Sequence, residues 1–122
     1  MGSRVEGKNI VITGSTRGIG RGIALGVAKE GAKVVISGRN ERDGELLAEE
    51  IYKIGEEGTF IKADVSNVSD CENLIHQAEA YFGKIDGLVN NAGIFPRSSL
   101  LETEEKLFDE VFAVNIKGAF FC

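Results

Sequence analysis

The sequence predicts an α/β fold in which a parallel sheet is covered by helices on both faces. Two observations lead to this prediction. Short apolar runs alternate with amphipathic, helix-like stretches along the whole chain. Nearly every position within those runs is apolar, which is typical of strands buried on both faces. Strands that alternate with helices in this way pair in parallel, and each helix crosses over one face of the sheet.

The first two strand–helix units occupy the N-terminal part of the chain. NIVIT, residues 9–13, is the first predicted strand, and the helix after the following glycines ends at Gly31. KVVIS, residues 33–37, is apolar and β-branched and predicts the second strand. Asn40 can cap a second helix over residues 41–55, in which leucines and isoleucines share one face and charged residues the other.

The third unit begins with TFIKA, residues 59–63, which predicts a short strand. Ser69 and Glu72 have the spacing of a capping box, in which each side chain bonds a free backbone N–H of the helix start. The capping box predicts a helix that starts there and continues to about Phe82.

The fourth unit consists of DGLVN, residues 86–90, followed by a loop and a last helix. Thr103 can cap that helix, with Glu104 and Glu105 near its positive end. Right-handed crossovers place the four strands in the order 3-2-1-4. The predicted fold is therefore a Rossmann-type, doubly wound sheet with flanking helices.

Composition excludes several classes of function. The net charge of the 122 residues is −5 with both signs interspersed, which argues against nucleic acid or an acidic membrane as partner. No apolar run reaches the length of a membrane-spanning helix. Cys71, Cys122 and the single histidine, His76, lack the spacing of a metal site, so no metal is predicted. Such free cysteines are ordinary in a reducing compartment, and we expect a cytoplasmic location.

The loop TGSTRGIG, Thr13 to Gly20, carries the strongest functional signal. It joins a buried strand to an amphipathic helix at the start of a βαβ unit, as nucleotide-binding glycine loops do. Gly14 permits a sharp turn, Gly18 removes a Cβ where a diphosphate approaches the backbone, and Gly20 permits close packing of the helix. Free N–H groups at the helix start then face the anion. The alternative is a tight glycine turn that binds nothing.

Four sequence features occur together in a recognisable order: TGSTRGIG, the pair Asp64-Val65, NNAG at residues 90–93, and Asn115. In order and approximate spacing they resemble the short-chain dehydrogenase/reductase family over essentially the whole chain. The residue types within these motifs are closest to those of bacterial-type 3-oxoacyl-(acyl-carrier-protein) reductases and related ketone reductases. The resemblance implies hydride transfer between a nicotinamide cofactor and a carbonyl or secondary alcohol substrate.

The resemblance also implies roles for particular residues. The glycine loop would hold the adenosine phosphates, Asp64 would accept a hydrogen bond from the adenine amino group, and NNAG would lie along the ribose and nicotinamide. The implied cofactor-binding residues are Gly14, Ser15, Thr16, Arg17, Gly18, Ile19, Gly20, Asp64, Val65, Asn90, Asn91, Ala92 and Gly93. The hydroxyl of Thr13 would tie the first strand to the fourth. Asp64 could instead begin the third helix, and NNAG could be turn chemistry alone.

The residues after the second predicted strand indicate which cofactor is used. Folds of this type that prefer NAD carry an acidic residue there to bind the ribose 2′-OH. SGRN, Ser37 to Asn40, contains no acid, and Arg39 stands in that place while Arg17 lies in the glycine loop. Two guanidinium groups can bind a 2′-phosphate, so the sequence predicts NADP (NADPH). The alternative is a pair of solvated surface arginines.

The family's proton relay is only partly present. The resemblance implies a serine, a tyrosine with a lysine four residues later, and an asparagine on the fourth helix; Asn115 supplies the last and is the one predicted catalytic residue. Tyr52 and Tyr81 are followed at that spacing by Glu56 and Ile85. We therefore expect residues 1–122 to be a dinucleotide-binding domain that is incomplete at its C-terminal end and inactive alone. A non-catalytic, stand-alone binding or interaction fragment is the alternative.

The last predicted helix is unusually rich in phenylalanine, with Phe108, Phe112, Phe120 and Phe121 near the end of the sequence. An apolar surface of this size is typical of a protein–protein contact. In the resembling family the corresponding helix packs against its copy in another subunit. We therefore expect a homo-oligomer formed through this helix, with a small ketone, alcohol or acyl-carrier-linked molecule as substrate.

Overall fold

The sheet has four parallel strands in the order β3-β2-β1-β4, which confirms the predicted 3-2-1-4 topology. A computed structural model describes residues 4–122. Its strands are β1 Asn9–Ile12, β2 Lys33–Gly38, β3 Gly58–Lys62 and β4 Gly87–Val89. Because all strands run in the same direction, the loops that follow them meet at one edge of the sheet, where the sequence places every candidate site motif.

Three long helices pack against the sheet, and an interrupted helix follows the last strand. The long helices are α1 Gly18–Lys29, α2 Glu41–Ile54 and α3 Val68–Phe82. The last one consists of α4 Glu105–Phe112, a π-helical turn over Ala113–Gly118 and a short α5, Ala119–Phe121. We call Ala113–Gly118 the π segment. The sequence predicts a single uninterrupted helix here, so the π segment is a correction.

Alternate residues of each strand enter two separate cores, as the pleat of a strand requires. Ile12 and Ile36 pack on the face covered by α1 and α2, together with Leu47 of α2. Val11 and Val35 point to the other face and pack with α3. The two central strands, β1 and β2, are therefore buried on both sides. Fully burying each such side chain stabilises the fold by roughly 1.5–3 kcal/mol.

One of the three predicted helix caps is confirmed. The side chain of Asn40 accepts a hydrogen bond from the backbone N–H of Asp43, and Gly55 in the left-handed conformation ends α2. The predicted capping box of Ser69 and Glu72 is wrong. The third helix starts one residue before Ser69, and the side chain of Asn67 caps it by accepting from the backbone N–H of Asp70.

The predicted cap at Thr103 is also wrong. The helix begins at Glu105, its N-cap position is Glu104, and no side chain in the described part of the chain caps it. The hydroxyl of Thr103 instead donates to the carbonyl of Ser99 at 2.7 Å. The hydroxyl is therefore used to close the preceding turn, which leaves it no part in the helix.

Two features of residues 4–122 bear on function. None of the helices in this range combines the length and apolar character needed to cross a bilayer. No group of three or more His, Cys, Asp or Glu side chains in the same range is arranged to hold a metal ion.

Glycines in α1 and α2 have opposite packing environments, which leads to a stability prediction. Gly22 and Gly26 are exposed, and a Cβ added to either would meet nothing within 4 Å. A Cβ on Gly44 of α2 would overlap the ring of Phe60. Since alanine favours a helix over glycine by about 1 kcal/mol, we expect Gly22→Ala and Gly26→Ala each to raise the free energy of unfolding by roughly 0.5–1 kcal/mol.

The matched control is Gly44→Ala, which makes the same chemical change within a helix. We expect it to lower the free energy of unfolding by roughly 1–3 kcal/mol, because the ring of Phe60 must move from a packed position. Urea denaturation of the full-length protein measures all three changes. A loss of stability in Gly22→Ala would show that another part of the protein covers this face of α1.

Candidate functional site

The glycine loop connects β1 to α1, and the buried hydroxyl group of Ser15 fixes its position. Ser15 is fully buried; its Oγ donates to the carbonyl of Ile12 at 2.8 Å and accepts from the backbone N–H of Ser37 at 2.9 Å. Gly14 has a φ of 60°, in the left-handed region that glycine enters without strain. The loop is thus anchored to the end of β2 as well as to β1.

The segment after β4 is bound to the same loop through Thr13. The Oγ1 of Thr13 accepts from the backbone N–H groups of Asn91 and Ala92, both at 3.0 Å, and its hydroxyl lies 3.4 Å from the carbonyl of Val89. The tie between the first and fourth strands that the resemblance implied is therefore present. Asn90, the first residue of NNAG, is exposed.

Gly14 and Gly20 are needed because Asn91 and Ala92 approach the loop closely. The side chain of Asn91 donates to the carbonyl of Gly14 at 3.0 Å. A Cβ on Gly14 would lie 2.8 Å from the Cα of Ala92, and one on Gly20 would overlap the amide of Asn91. Gly20 therefore makes room for Asn91 and for the loop itself, which refines the expectation that it lets the helix pack on the strand.

The N-terminal end of α1 is open to an anion. Within the described residues no side chain caps this end, Arg17 occupies the N-cap position, and the first turn contains no acidic residue. Gly18 has a φ of 61°, and a Cβ placed on it would meet no atom within 4 Å. The free N–H groups and the helix dipole make this end electropositive, and the arginine adds a full charge.

A cleft of about 760 Å³ lies where the ends of β2 and β3 face the last helix. Arg39, directly after β2, and Asp64, shortly after β3, line one side. The opposite side belongs to α4 and the π segment, including Ala113 and Val114. On α4 the lining residues are charged: Glu105, Lys106, Asp109 and Glu110.

The carboxylate of Asp64 is held ionised and oriented. Its Oδ1 accepts from the hydroxyl of Ser66 at 2.6 Å and from the backbone N–H of the same residue at 3.0 Å. The hydroxyl bond, then the backbone bond, hold the pKa of Asp64 below its ordinary value against partial desolvation, and the charge of Arg39 adds to this. Among described residues, both hydrogen bonds to this carboxylate go to Oδ1, so Oδ2 remains available to accept another. Asp64 can therefore both close the turn into α3 and accept a ligand hydrogen bond.

Asn115 lies in the π segment and holds the chain after NNAG. Its Oδ1 accepts from the backbone N–H of Ile94 at 2.7 Å, and its amide donates to the carbonyl of the same residue at 2.6 Å. Both polar ends of the side chain are thus engaged with the backbone of a single residue, Ile94. A π-helical turn widens the helix locally and is frequently found at a functional position. Here the turn contains the predicted catalytic residue.

The structure brings most of the predicted site residues to one edge of the sheet. The loop Thr13–Gly20, NNAG and Asn115 form one connected network, and Arg39 and Asp64 line the neighbouring cleft. Val65 is buried behind the cleft rather than lining it, and Arg17 is exposed at the start of α1. Thr16 contacts the position of Gly38, where a Cβ would lie 2.8 Å from its methyl group.

Several residues of the site were missed by sequence reasoning. Ser66, which orients Asp64, follows it by two positions, and an Asp-x-Ser turn was a usable signal. The charged residues of α4 that line the cleft had no such signal in the sequence, because α4 reaches the cleft only through tertiary packing. Ser37 is a third case: its hydroxyl is buried at the end of β2 with no hydrogen-bond partner among described residues.

The sequence of the chain matches one protein-family model. The model of the short chain dehydrogenases matches residues 8–122, which is nearly the whole chain. The chain belongs to the short-chain dehydrogenase/reductase family. The glycine loop, NNAG and Asn115 described above therefore lie in a short-chain dehydrogenase/reductase framework.

Relatives of this short-chain dehydrogenase/reductase chain include an uncharacterized oxidoreductase of Thermotoga maritima, 43% identical over 115 residues, which are 94% of this chain and 45% of the relative. The 3-oxoacyl-(acyl-carrier-protein) reductase FabG of Staphylococcus epidermidis is 39% identical over 116 residues, 94% of this chain and 48% of that protein. The crystal structure of the NADH-dependent reductase A1-R′ complexed with NAD superposes with a TM-score of 0.91 at 34% identity, covering 99% of this chain and 51% of that one. The chain thus spans about half the length of the relatives it matches.

Proposed function

We propose that this chain is the cofactor-binding half of an NADP-dependent oxidoreductase that transfers hydride between the nicotinamide and a ketone or secondary alcohol. The family establishes oxidoreductase chemistry as the general class. The observation that carries the proposal is the position of Arg39, which directly follows β2 and lines the same cleft as Asp64. The first acidic residue after β2 is Glu41, at the start of α2.

The residues present fit a dinucleotide phosphate. The uncapped N-terminus of α1 offers free N–H groups, and Gly18 leaves open space where a diphosphate would approach. Asp64 offers an oriented oxygen in the cleft, as an adenine amino group requires. The cofactor supplies the hydride, and this chain binds and orients it. The neighbour crystallised with NAD shows that the family framework also accommodates the cofactor without the 2′-phosphate.

We assign the residues that the sequence indicated to cofactor binding, with the exception of Val65. The loop Gly14–Gly20 and Arg17 would hold the phosphates, NNAG would lie along the ribose and nicotinamide, and Arg39 with Asp64 would bind the adenosine end. Val65, being buried, would support Asp64 and the π segment rather than contact the ligand. Asn115 would position the segment at Ile94 beside the reacting end of the cofactor.

The substrate class is a small ketone, a secondary alcohol or an acyl group linked to a carrier protein. Similarity to a 3-oxoacyl-(acyl-carrier-protein) reductase supports the last possibility. The two free cysteines support a reducing, cytoplasmic location. The test is a panel of ketones, including a 3-oxoacyl thioester, offered to the full-length protein with NADPH while nicotinamide absorbance is followed. Absence of NADPH oxidation with every member would overturn the assignment of a carbonyl reductase.

One feature favours a second candidate, a non-catalytic dinucleotide-binding or interaction fragment. The two tyrosines of the sequence lie on α2 and α3, and neither is followed by lysine at the required spacing. NADPH binding without turnover in the full-length protein would support this alternative. Turnover would exclude it.

We also propose that the protein forms a homo-oligomer through α4, the π segment and α5. Phe108 and Phe112 stack with ring centroids 4.4 Å apart on α4, and Phe120 on α5 is 81% exposed. β4, a strand of three residues, lies at one edge of the sheet. Apolar rings on a surface helix and an open strand edge both favour association.

The 122-residue chain, taken alone, should therefore not remain a monomer. Burying two of these rings per copy favours association by roughly 3–6 kcal/mol before entropy costs. Phe112 and Phe120 changed to glutamate should shift the population toward monomer or unfolded chain. Tyr52→Glu, which puts a charge in place of a ring on α2 about as exposed as that of Phe120, should not. Light scattering measures the oligomeric state of the unmutated chain and of each variant. A monodisperse monomer of unmutated chain at tens of micromolar would contradict the proposal.

A further inference from the structure

The carboxylate of Asp64 is held by the residue two positions after it. Its Oδ1 accepts from the hydroxyl of Ser66 at 2.6 Å and from the backbone N–H of Ser66 at 3.0 Å. A bond of this length from a hydroxyl to an ionised carboxylate is charge-assisted and about twice as strong as a neutral one. Both residues line the cleft. The side chain that we assign to the adenine amino group is therefore fixed at the cleft itself.

The main chain of Asp64 is fixed as well, by the start of α3. The carboxylate of Asp70 accepts from the backbone N–H of Asp64 at 2.8 Å, and the backbone N–H of Asn67 donates to the carbonyl of Asp64 at 3.0 Å. The side chain of Asn67 accepts from the backbone N–H of Asp70 at 3.3 Å, which closes the network. Because these bonds hold the main chain, the remaining freedom of Asp64 is rotation of its side chain. The two bonds from Ser66 restrict that rotation.

The hydroxyl of Ser66 is not needed to close this turn. The backbone N–H of Ser66 already bonds Oδ1 of Asp64, and the bonds of the main chain to Asn67 and Asp70 do not involve the hydroxyl. In the described part of the chain, the one hydrogen-bond partner of the hydroxyl is the Asp64 carboxylate. The hydroxyl therefore acts on the orientation of that carboxylate, and its effect reaches whatever group Asp64 binds.

We propose that the hydroxyl of Ser66 determines which base the cleft accepts, by holding Asp64 in the orientation that receives an amino group. The proposal rests on the proposed function, in which Asp64 binds the amino group of adenine. Ser66 is a positioning residue, since it acts through Asp64 and needs no contact with the cofactor. The ligand that it selects is a dinucleotide with adenine as its base.

Hypoxanthine shows why a fixed carboxylate is selective. In this base a carbonyl oxygen replaces the amino group of adenine, and the neighbouring ring nitrogen carries a proton. An ionised carboxylate only accepts hydrogen bonds, so Asp64 in its fixed orientation would face a second acceptor and lose its bond. A carboxylate that is free to turn can reach the neighbouring N–H and bind this base as well. A site built to bond a particular donor rejects analogues that lack it, and Ser66 preserves that property by preventing Asp64 from turning.

The experiment titrates the full-length protein with NADPH and with the NADPH analogue that carries hypoxanthine in place of adenine, and follows nicotinamide fluorescence. The unmutated protein should bind NADPH at least about tenfold more tightly than the analogue. Ser66→Ala should reduce this ratio to about threefold or less, because the carboxylate can then turn toward either base. Ser66→Thr keeps the hydroxyl and should keep the preference. The matched control is Ser69→Ala, which removes an exposed hydroxyl on α3 and should change the ratio less than about twofold.

Further variants separate positioning from a general effect on the turn. Asp64→Ala should abolish the preference, and adding Ser66→Ala to it should change the ratio no further, because Ser66 acts through Asp64. Should Ser66→Ala fail to fold, Ser66→Val and Ser66→Thr have the same shape and differ in the hydroxyl, and only the valine variant should lose the preference.

Two outcomes overturn the proposal while leaving the proposed function intact. One is an unmutated protein that binds NADPH and its hypoxanthine analogue equally well, a result that requires no variant to fold. The other is a Ser66→Ala variant that keeps the full preference for NADPH. An unmutated protein that binds neither cofactor would overturn the proposed function, and this proposal with it.

Discussion

Replacing Arg39 with aspartate should reverse the cofactor preference of the full-length protein. The unmutated protein is expected to bind NADPH at least about tenfold more tightly than NADH, since one charged contact to the 2′-phosphate is worth ~1.4 kcal/mol or more. The guanidinium of Arg39 is exposed at the end of β2 and beside the cleft, where it can reach such a phosphate. An aspartate there repels the phosphate and can accept a hydrogen bond from the 2′-OH of NADH. Fluorescence titration with both cofactors measures the ratio.

The control for this prediction is Lys53→Asp, which makes the same change of charge at the other end of α2. At 1.5 Å per residue, Lys53 lies roughly 20 Å along the helix from Arg39. Dissolved salt screens most of the interaction between exposed charges at that distance. We expect Lys53→Asp to alter the NADPH to NADH ratio less than about twofold. Equal affinity of the unmutated protein for the two cofactors would contradict the assignment of Arg39 and Arg17.

Strand order and the location of the site could be predicted because both follow from local pattern. Each strand contains a short apolar run between turn residues, and right-handed crossovers leave few ways to arrange four such strands. Because parallel strands end at one edge, the loops after β1 and β4 had to meet, which the bonds from Thr13 to Asn91 and Ala92 confirm. The family assignment rested on those same loops and is confirmed by the family model.

The cap of α3 could not be settled from sequence because neighbouring residues compete for that position. Asn67 and Ser69 are both good N-cap residues, two positions apart. The turn in which Asp64 accepts from Ser66 and the carboxylate of Asp70 accepts from the backbone N–H of Asp64 favours the earlier start. That turn depends on where β3 ends, which the sequence fixes only to within a residue or two.

The π segment had no local signal at all. AVNIKG is compatible with an ordinary α-helix, and its backbone conformation depends on distant contacts. Asn115 bonds both backbone polar groups of Ile94, while Gly118 must lie against Val65. An added residue in the helical turn lets one helix satisfy both contacts. Sequence reasoning identified Asn115 through family resemblance but could not predict the distortion around it.

The 122-residue chain alone should show no measurable ketone reduction with NADPH. Reduction of a ketone needs a group that donates a proton to the oxygen as hydride arrives, and a positioned donor contributes roughly 10²–10⁴-fold to the rate. The short-chain dehydrogenase/reductase family uses a tyrosine for this purpose, and a nearby lysine lowers the pKa of that tyrosine. Tyr52 is 79% exposed on α2 and has no such lysine. Tyr81 on α3 donates to Glu57 at 3.3 Å, and burial followed by that negative charge raise its pKa, which is the opposite of the requirement.

The measurement pairs two samples of verified intact mass, the 122-residue chain and the full-length protein, each with NADPH and a ketone that the full-length protein reduces. Both should quench or shift NADPH fluorescence on binding, since the glycine loop, Arg39 and Asp64 are common to both. Only the full-length protein should oxidise NADPH. Binding is the essential control, because a chain that fails to bind would be silent for a trivial reason. NADPH oxidation by the 122-residue chain would mean that a proton donor exists within it. Tyr81→Phe and Tyr52→Phe would then show whether either tyrosine supplies that proton.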